Sequence, residues 1–237
     1  MKTNNNPKVL TNDLSITKKP KRQQTIGEEI ANATSHGVMA LFGIYALIVL
    51  ILQANNGWEM TSAIVFGISI ILLYLMSCLY HSLAYTKSKS VFKRFDHISI
   101  YILIGGTFAP ALLLLPSLRQ TPFLGIEGML DVGLTLFIGQ WTLIIIGIVF
   151  KSIWVYRFQA AHLAIYLLIG WSAIYFISDL YQYSAPAMWL ILAGGICYSV
   201  GVVFYVLSRI KYFHFVWHIM VAAGTILQFL AIYLYLM

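Results

Sequence analysis

Apolar residues in this chain come in long, nearly unbroken runs separated by brief polar interruptions. Runs of roughly twenty residues, the length that crosses a hydrocarbon core as helix, fall at about 37–54, 60–84, 97–115, 132–150, 160–178, 187–208 and 213–236. The interruptions carry turn and polar residues, such as Asn55-Asn56-Gly57, the stretch from Lys87 to Arg94, and Pro116 through Gly128. The pattern predicts an all-α fold: an integral membrane bundle of seven transmembrane helices filling residues 25–237, with no second domain. Residues 1–24 form a polar tail rich in Asn, Lys and Thr without periodic apolar positions, which reads as disorder. So long a polar lead, with no small-residue cleavage site after the first run, does not read as a removable signal peptide. At Thr25 the pattern changes. Thr25 and Glu28 have the spacing of a capping box, and Ile26, Ile30 and Ala33 follow on one face, predicting a short amphipathic helix at the membrane surface before the first span.

Composition closes off a soluble alternative. At 60% hydrophobic and 10% charged residues, with mean hydropathy +0.82, the chain has too little polar surface to coat a globule. Charge then sets orientation, because cytoplasmic loops retain Lys and Arg. Lys2, Lys8, Lys18, Lys19, Lys21 and Arg22 lie in the tail; Lys87, Lys89, Lys93 and Arg94 follow the second span; Lys151 and Arg157 follow the fourth; Arg209 and Lys211 follow the sixth. Only Arg119 falls on the other side, with Glu59, Glu127, Asp131 and Asp179. The expected topology is a cytoplasmic N-terminus and an outside C-terminus in the cell membrane. Topology and anionic lipid account for the net charge of +7 without a nucleic-acid partner.

All six histidines then come out near the cytoplasmic face. His81 lies about a turn from the end of the second span, and His214 and His218 begin the seventh. Residues four apart share a helix face, so His214 and His218 can grip one ion while His81 completes the set from a neighbour. Three protein ligands with an open position is the catalytic form of zinc coordination, although imidazole also suits other transition metals. The alternative is a set of interfacial histidines reaching the headgroups. Ser77 sits one turn before His81, and Asp96 opens the third span, where it is either a functional carboxylate or a helix N-cap. Cys78 and Cys197 read as small apolar residues rather than a disulfide.

Several segments together carry a family resemblance. They are Glu28-Glu29-Ile30-Ala31-Asn32 with Ser35-His36-Gly37, Ser77-x-x-x-His81, Asp96-His97-x-x-Ile100-Tyr101, Gly106-Thr107-Phe108-Ala109-Pro110, Gly170-Trp171, Gly194-Gly195 with Tyr198, and His214-x-x-Trp217-His218. In this order the chain resembles the bacterial hemolysin III family, the microbial branch of the adiponectin and progestin receptor superfamily. The resemblance implies a seven-helix bundle with a cytoplasmic N-terminus and a zinc ion on His81, His214 and His218. It also implies Asp96 holding the water on that metal, with Ser77 beside it. One departure is visible: the family reads Gly-Thr-Tyr-Thr-Pro where this chain has Phe108 and Ala109, losing two hydroxyls. His36, His97, Glu29 and Asn32 fit a supporting layer around the ligands, and His162 reads as an interfacial residue.

Two functions from different classes follow. One is a zinc-dependent intramembrane hydrolase of lipid amides or esters acting in membrane lipid homeostasis, with Asp96 as general base and Ser77 positioning the nucleophile or carbonyl; the superfamily's link to ceramide hydrolysis points the same way. The other, suggested by the family name, is a pore-forming cytolysin or a non-enzymatic membrane regulator with a structural zinc. Mid-span positions are mostly Leu, Ile, Val, Phe and Gly, which disfavours a pore. The seventh span has no lysine for a retinal Schiff base, and no inverted repeat suggests a transporter.

Overall fold

The computed structural model describes residues 22–237, so the tail up to Lys21, with Lys2, Lys8, Lys18 and Lys19, lies outside the described residues. Seven helices are long and apolar enough to cross a membrane. These are α1 (Ile26–Gln53), α2 (Gly57–Ser82), α3 (Lys89–Leu114), α4 (Val132–Ile153), α5 (Gln159–Tyr183), α6 (Ala185–Val206) and α7 (Phe213–Leu236). No strand occurs among the described residues; an isolated bridge pairs Pro122 with Asp131 in the long α3–α4 connection.

Number and order of the spans match the apolar pattern, while two helix starts differ from it. The capping box at Thr25 is formed, the Glu28 carboxylate accepting from the Thr25 N–H at 2.9 Å. The helix it starts is not a separate surface element: α1 runs unbroken from Ile26 into the membrane, since no proline interrupts it. Ile26 and Ile30 are exposed on its outer face, and Glu28, Glu29, Asn32 and His36 are buried on its inner one. The third helix likewise begins early, at Lys89 after Ser88. Asp96 therefore lies two turns inside α3, and the N-cap reading of Asp96 is corrected.

Close packing joins α1 to α2, α2 to α3 and α6 to α7, with α4 against α3 and α1 against α7. Gly106 of α3 shows why. A Cβ there would overlap the Ser69 side chain of α2. Across the middle, the Tyr74 hydroxyl donates to the Thr225 hydroxyl at 2.7 Å, tying α2 to α7. α5 is less regular, with a 3₁₀ segment at Ser172–Phe176, and a cavity of about 210 Å³ remains among α3, α5, α6 and α7. Leu143, Ile145 and Ile146 of α4 point outward, as a lipid-facing surface requires. Cys78 and Cys197 are free.

The two ends of the bundle differ in charge. Among the described residues, one end collects Arg22, Lys87, Lys89, Lys93, Arg94, Lys151, Arg157, Arg209 and Lys211. Arg119 at the other end is neutralised by Asp131 at 3.0 Å and lies over the Trp58 ring at 4.0 Å. Asp131 also caps α4, accepting from the Leu134 N–H at 2.7 Å.

Candidate metal centre

The basic end of the bundle brings His81 from α2 together with His214 and His218 from α7. One nitrogen from each lies within 4.8 Å of the others. The Nε2 atoms of His81 and His214 are 3.3 Å apart, and a tetrahedral ion with metal–nitrogen bonds of about 2.0–2.1 Å separates its ligand nitrogens by about 3.3 Å. His81 and His218 are buried and His214 is half-buried. These three residues could hold a metal ion.

Their second nitrogens decide which atom faces the centre. His81 Nδ1 lies 2.6 Å from Glu29 Oε2, and the other Glu29 oxygen accepts from the Lys89 ammonium at 3.0 Å. A carboxylate at Nδ1 takes the proton on that side and leaves the Nε2 lone pair free. His218 Nδ1 lies 3.3 Å from the Asn32 carbonyl oxygen, an acceptor only, so its proton is also on Nδ1. His218 Nε2 is then a buried acceptor with no hydrogen-bond partner. A metal ion would satisfy it. This donor set, with neutral imidazoles aimed inward and a polar layer behind, fits a transition metal.

Two supporting residues of α1 thus bond to the cluster, Glu29 through its carboxylate and Asn32 through its backbone. His36 lies flat on His218, ring centroids 3.6 Å apart and planes 8° apart, and makes no hydrogen bond of its own. His97 is not among the converging nitrogens; it lines the neighbouring cavity. His162, read as interfacial, is buried with its Nδ1 2.8 Å from the Tyr101 hydroxyl.

Asp96 and Ser77 are both buried, and Ser77 Oγ and Asp96 Oδ1 lack a hydrogen bond of good geometry. Ser77, His81 and Lys93 nonetheless lie close enough to interact with the Asp96 carboxyl. Tyr80 and Tyr205 also lie close enough to Asp96 to interact with it electrostatically. Orphaned polar atoms are rare in a packed interior and call for an explanation. The site thus sets a carboxyl and a hydroxyl beside three inward-facing imidazoles. Lys89 was legible only as a topology charge, and Tyr80 and Tyr205 carried no signal, because span tyrosines are usually interfacial.

The family model described as "Haemolysin-III related" matches residues 24–229. The chain belongs to this haemolysin III family. It is 40% identical over 215 residues to the Hemolysin-3 homolog of Bacillus subtilis (strain 168), covering 89% of this chain and 95% of that protein. Against the Hemolysin-3 of Bacillus cereus the identity is 38%, covering 90% and 94% of the two chains. The human monocyte to macrophage differentiation factor is 25% identical over 90% of this chain and 86% of its own. The matched stretch spans the positions of His81, His214, His218, Glu29, Asp96 and Ser77. Seven apolar helices and this family make the chain a multi-pass protein of the cell membrane.

Proposed function

We propose that His81, His214 and His218 hold one zinc ion, and that the protein is an intramembrane hydrolase of a lipid amide or ester, with the site near the cytoplasmic face. The observation that carries this reading is the convergence of three imidazoles beside two buried oxygens, Asp96 Oδ1 and Ser77 Oγ, that make no hydrogen bond of good geometry. A zinc ion on three histidines supplies Lewis acidity and lowers the pKa of water to roughly 7. Asp96 takes the proton from the attacking water as general base. It returns that proton to the departing amine or alcohol once the C–N or C–O bond breaks. Ser77 donates its hydroxyl hydrogen to the substrate carbonyl, and Glu29 holds His81 in place. Beside the cluster, the apolar cavity reaches the exposed residues Gly170 and Ile174, so an acyl chain can enter from the bilayer.

A pore is poorly supported, because at mid-depth α2 buries Phe66, Gly67, Ile70 and Leu73, and the polar groups between them are tied up inside the bundle, Ser69 on the Phe66 carbonyl and Tyr74 on Thr225. Purified protein should contain about one zinc per chain, lost in the His214→Ala, His218→Ala double variant. Asp96→Asn should keep the metal and lose hydrolysis of a lipid amide or ester by a hundredfold or more, on the scale of general-base removal. An Asp96→Asn protein with both metal and wild-type turnover would overturn the mechanism. No turnover in the wild type with full zinc would instead make the ion structural.

A further inference from the structure

At the end away from the basic loops, the α3–α4 connection folds into a small hairpin. Its stem is pinned. The Val132 N–H donates to the Thr121 carbonyl at 2.9 Å, the Phe123 N–H to the Leu130 carbonyl at 2.9 Å, and Asp131 holds Arg119. The tip turns at Phe123–Ile126, closed by the Ile126 N–H on the Phe123 carbonyl at 3.3 Å. Both central residues of the turn, Leu124 and Gly125, have positive φ, 57° and 69°. Turns of that hand favour Asn, Asp or Gly at both positions, because a larger side chain is crowded there. Gly125 obeys the rule and Leu124 breaks it. Leu124 is also 74% exposed, so packing inside the protein does not offset the backbone strain. Ile126, Met129 and Leu130 are exposed beside it. A patch of large apolar side chains left outside the fold marks a surface that meets a partner or a membrane.

Position and charge say which. At the base of the hairpin Arg119 lies over the ring of Trp58, a residue in the first turn of α2, and tryptophans at span ends settle at the headgroup level. From Leu130 the chain runs straight into α4, whose Ile138 and Leu143 face outward, so the patch continues the lipid-facing surface of the bundle. Between Gln120 and Leu130 there is no Lys or Arg and a single acid, Glu127. Attraction to anionic lipid therefore plays no part, and the exposed Glu127 carboxylate keeps the loop at headgroup depth. We propose that the hairpin is a membrane anchor, with Leu124, Ile126, Met129 and Leu130 seated in the interfacial layer of the leaflet at this end. Burial of those side chains among lipid holds Leu124 in its strained turn and fixes the ends of α3 and α4 at one level. The proposal is independent of the zinc and hydrolase readings.

The test uses the full chain in phosphatidylcholine nanodiscs, after Cys78→Ala and Cys197→Ala remove the native free thiols. A fluorophore is attached through Leu124→Cys or Ile126→Cys. The same fluorophore on Asn55→Cys, in the exposed α1–α2 turn at the same end, is the reference for water and for any pull of the dye itself. A nitroxide on a shallow acyl carbon of the lipid should quench the probes at 124 and 126 several-fold more than the probe at 55, and aqueous iodide should show the reverse order. Leu124→Asn suits the turn, since asparagine accepts positive φ, and removes the apolar tip. With the probe at 126, it should shift the ratio of lipid to iodide quenching roughly tenfold toward iodide, the change expected for losing one leucine's burial. Anionic lipid and high salt should leave the ratio unchanged. Iodide quenching at 124 and 126 equal to that at 55, or an unchanged ratio in Leu124→Asn, overturns the proposal. So does shielding that appears only as the protein-to-lipid ratio rises, which assigns the tip to a second copy of the chain, and so does lipid quenching that requires anionic headgroups.

Discussion

Glu28 and Glu29 are adjacent acids on α1, and the fold gives them different partners. Glu29 lies on His81, whereas Glu28 accepts from the Arg22 guanidinium and, at 2.9 Å, from the Tyr212 N–H. Removing a carboxylate behind a ligating imidazole costs about 10–100-fold in metal affinity. Glu29→Gln should therefore weaken zinc binding by that factor in competition with a chromophoric chelator, and Glu28→Gln should leave it unchanged. Wild-type affinity in Glu29→Gln would remove Glu29 from the site. The convergence of the three histidines could be read from the sequence because four-residue spacing and matching depth are local properties. For Glu29 the sequence offered a place in the supporting layer but not its partner His81, since that depends on which face of α1 turns inward.

At the scale of elements, the seven spans were legible because each needs only length and apolarity, properties that survive without knowledge of packing. The starts of α1 and α3 were less so: the lead into the first span read as a separate surface helix and the lead into the third as a connection, yet Glu29, Asn32 and Asp96 lie buried in continuous helices. Glycine positions carry the same lesson. Gly106 and Gly139 look alike in sequence, but a Cβ at Gly106 would overlap Ser69, while one at Gly139 meets nothing within 4 Å. Gly106→Val should lower the melting temperature in detergent, corresponding to about 1–3 kcal/mol of overpacking, and Gly139→Ala should not lower it. Comparable melting of both variants would mean that α2 and α3 separate at little cost.

The described residues collect their basic side chains at one end of the molecule, and the histidine cluster lies there, with Lys89 hydrogen-bonded to Glu29 and the His214–His218 turn following Arg209 and Lys211. Basic loops stay on the cytoplasmic side, and Arg119 at the far end is offset by Asp131. The proposed orientation puts the N-terminus and the metal site at the cytoplasm and the C-terminus outside. Two measurements test separate halves of that statement. A reporter fused after Met237 should be active only as an extracytoplasmic reporter, which reads the parity of spans and their direction. A charged chelator that cannot cross the bilayer should strip zinc from inverted vesicles and leave right-side-out vesicles loaded, which reads the depth of the site itself. If the fusion reports an outside C-terminus while zinc is removed only from right-side-out vesicles, the spans are correctly threaded but the ion is not on His81, His214 and His218, and the hydrolase proposal falls with it.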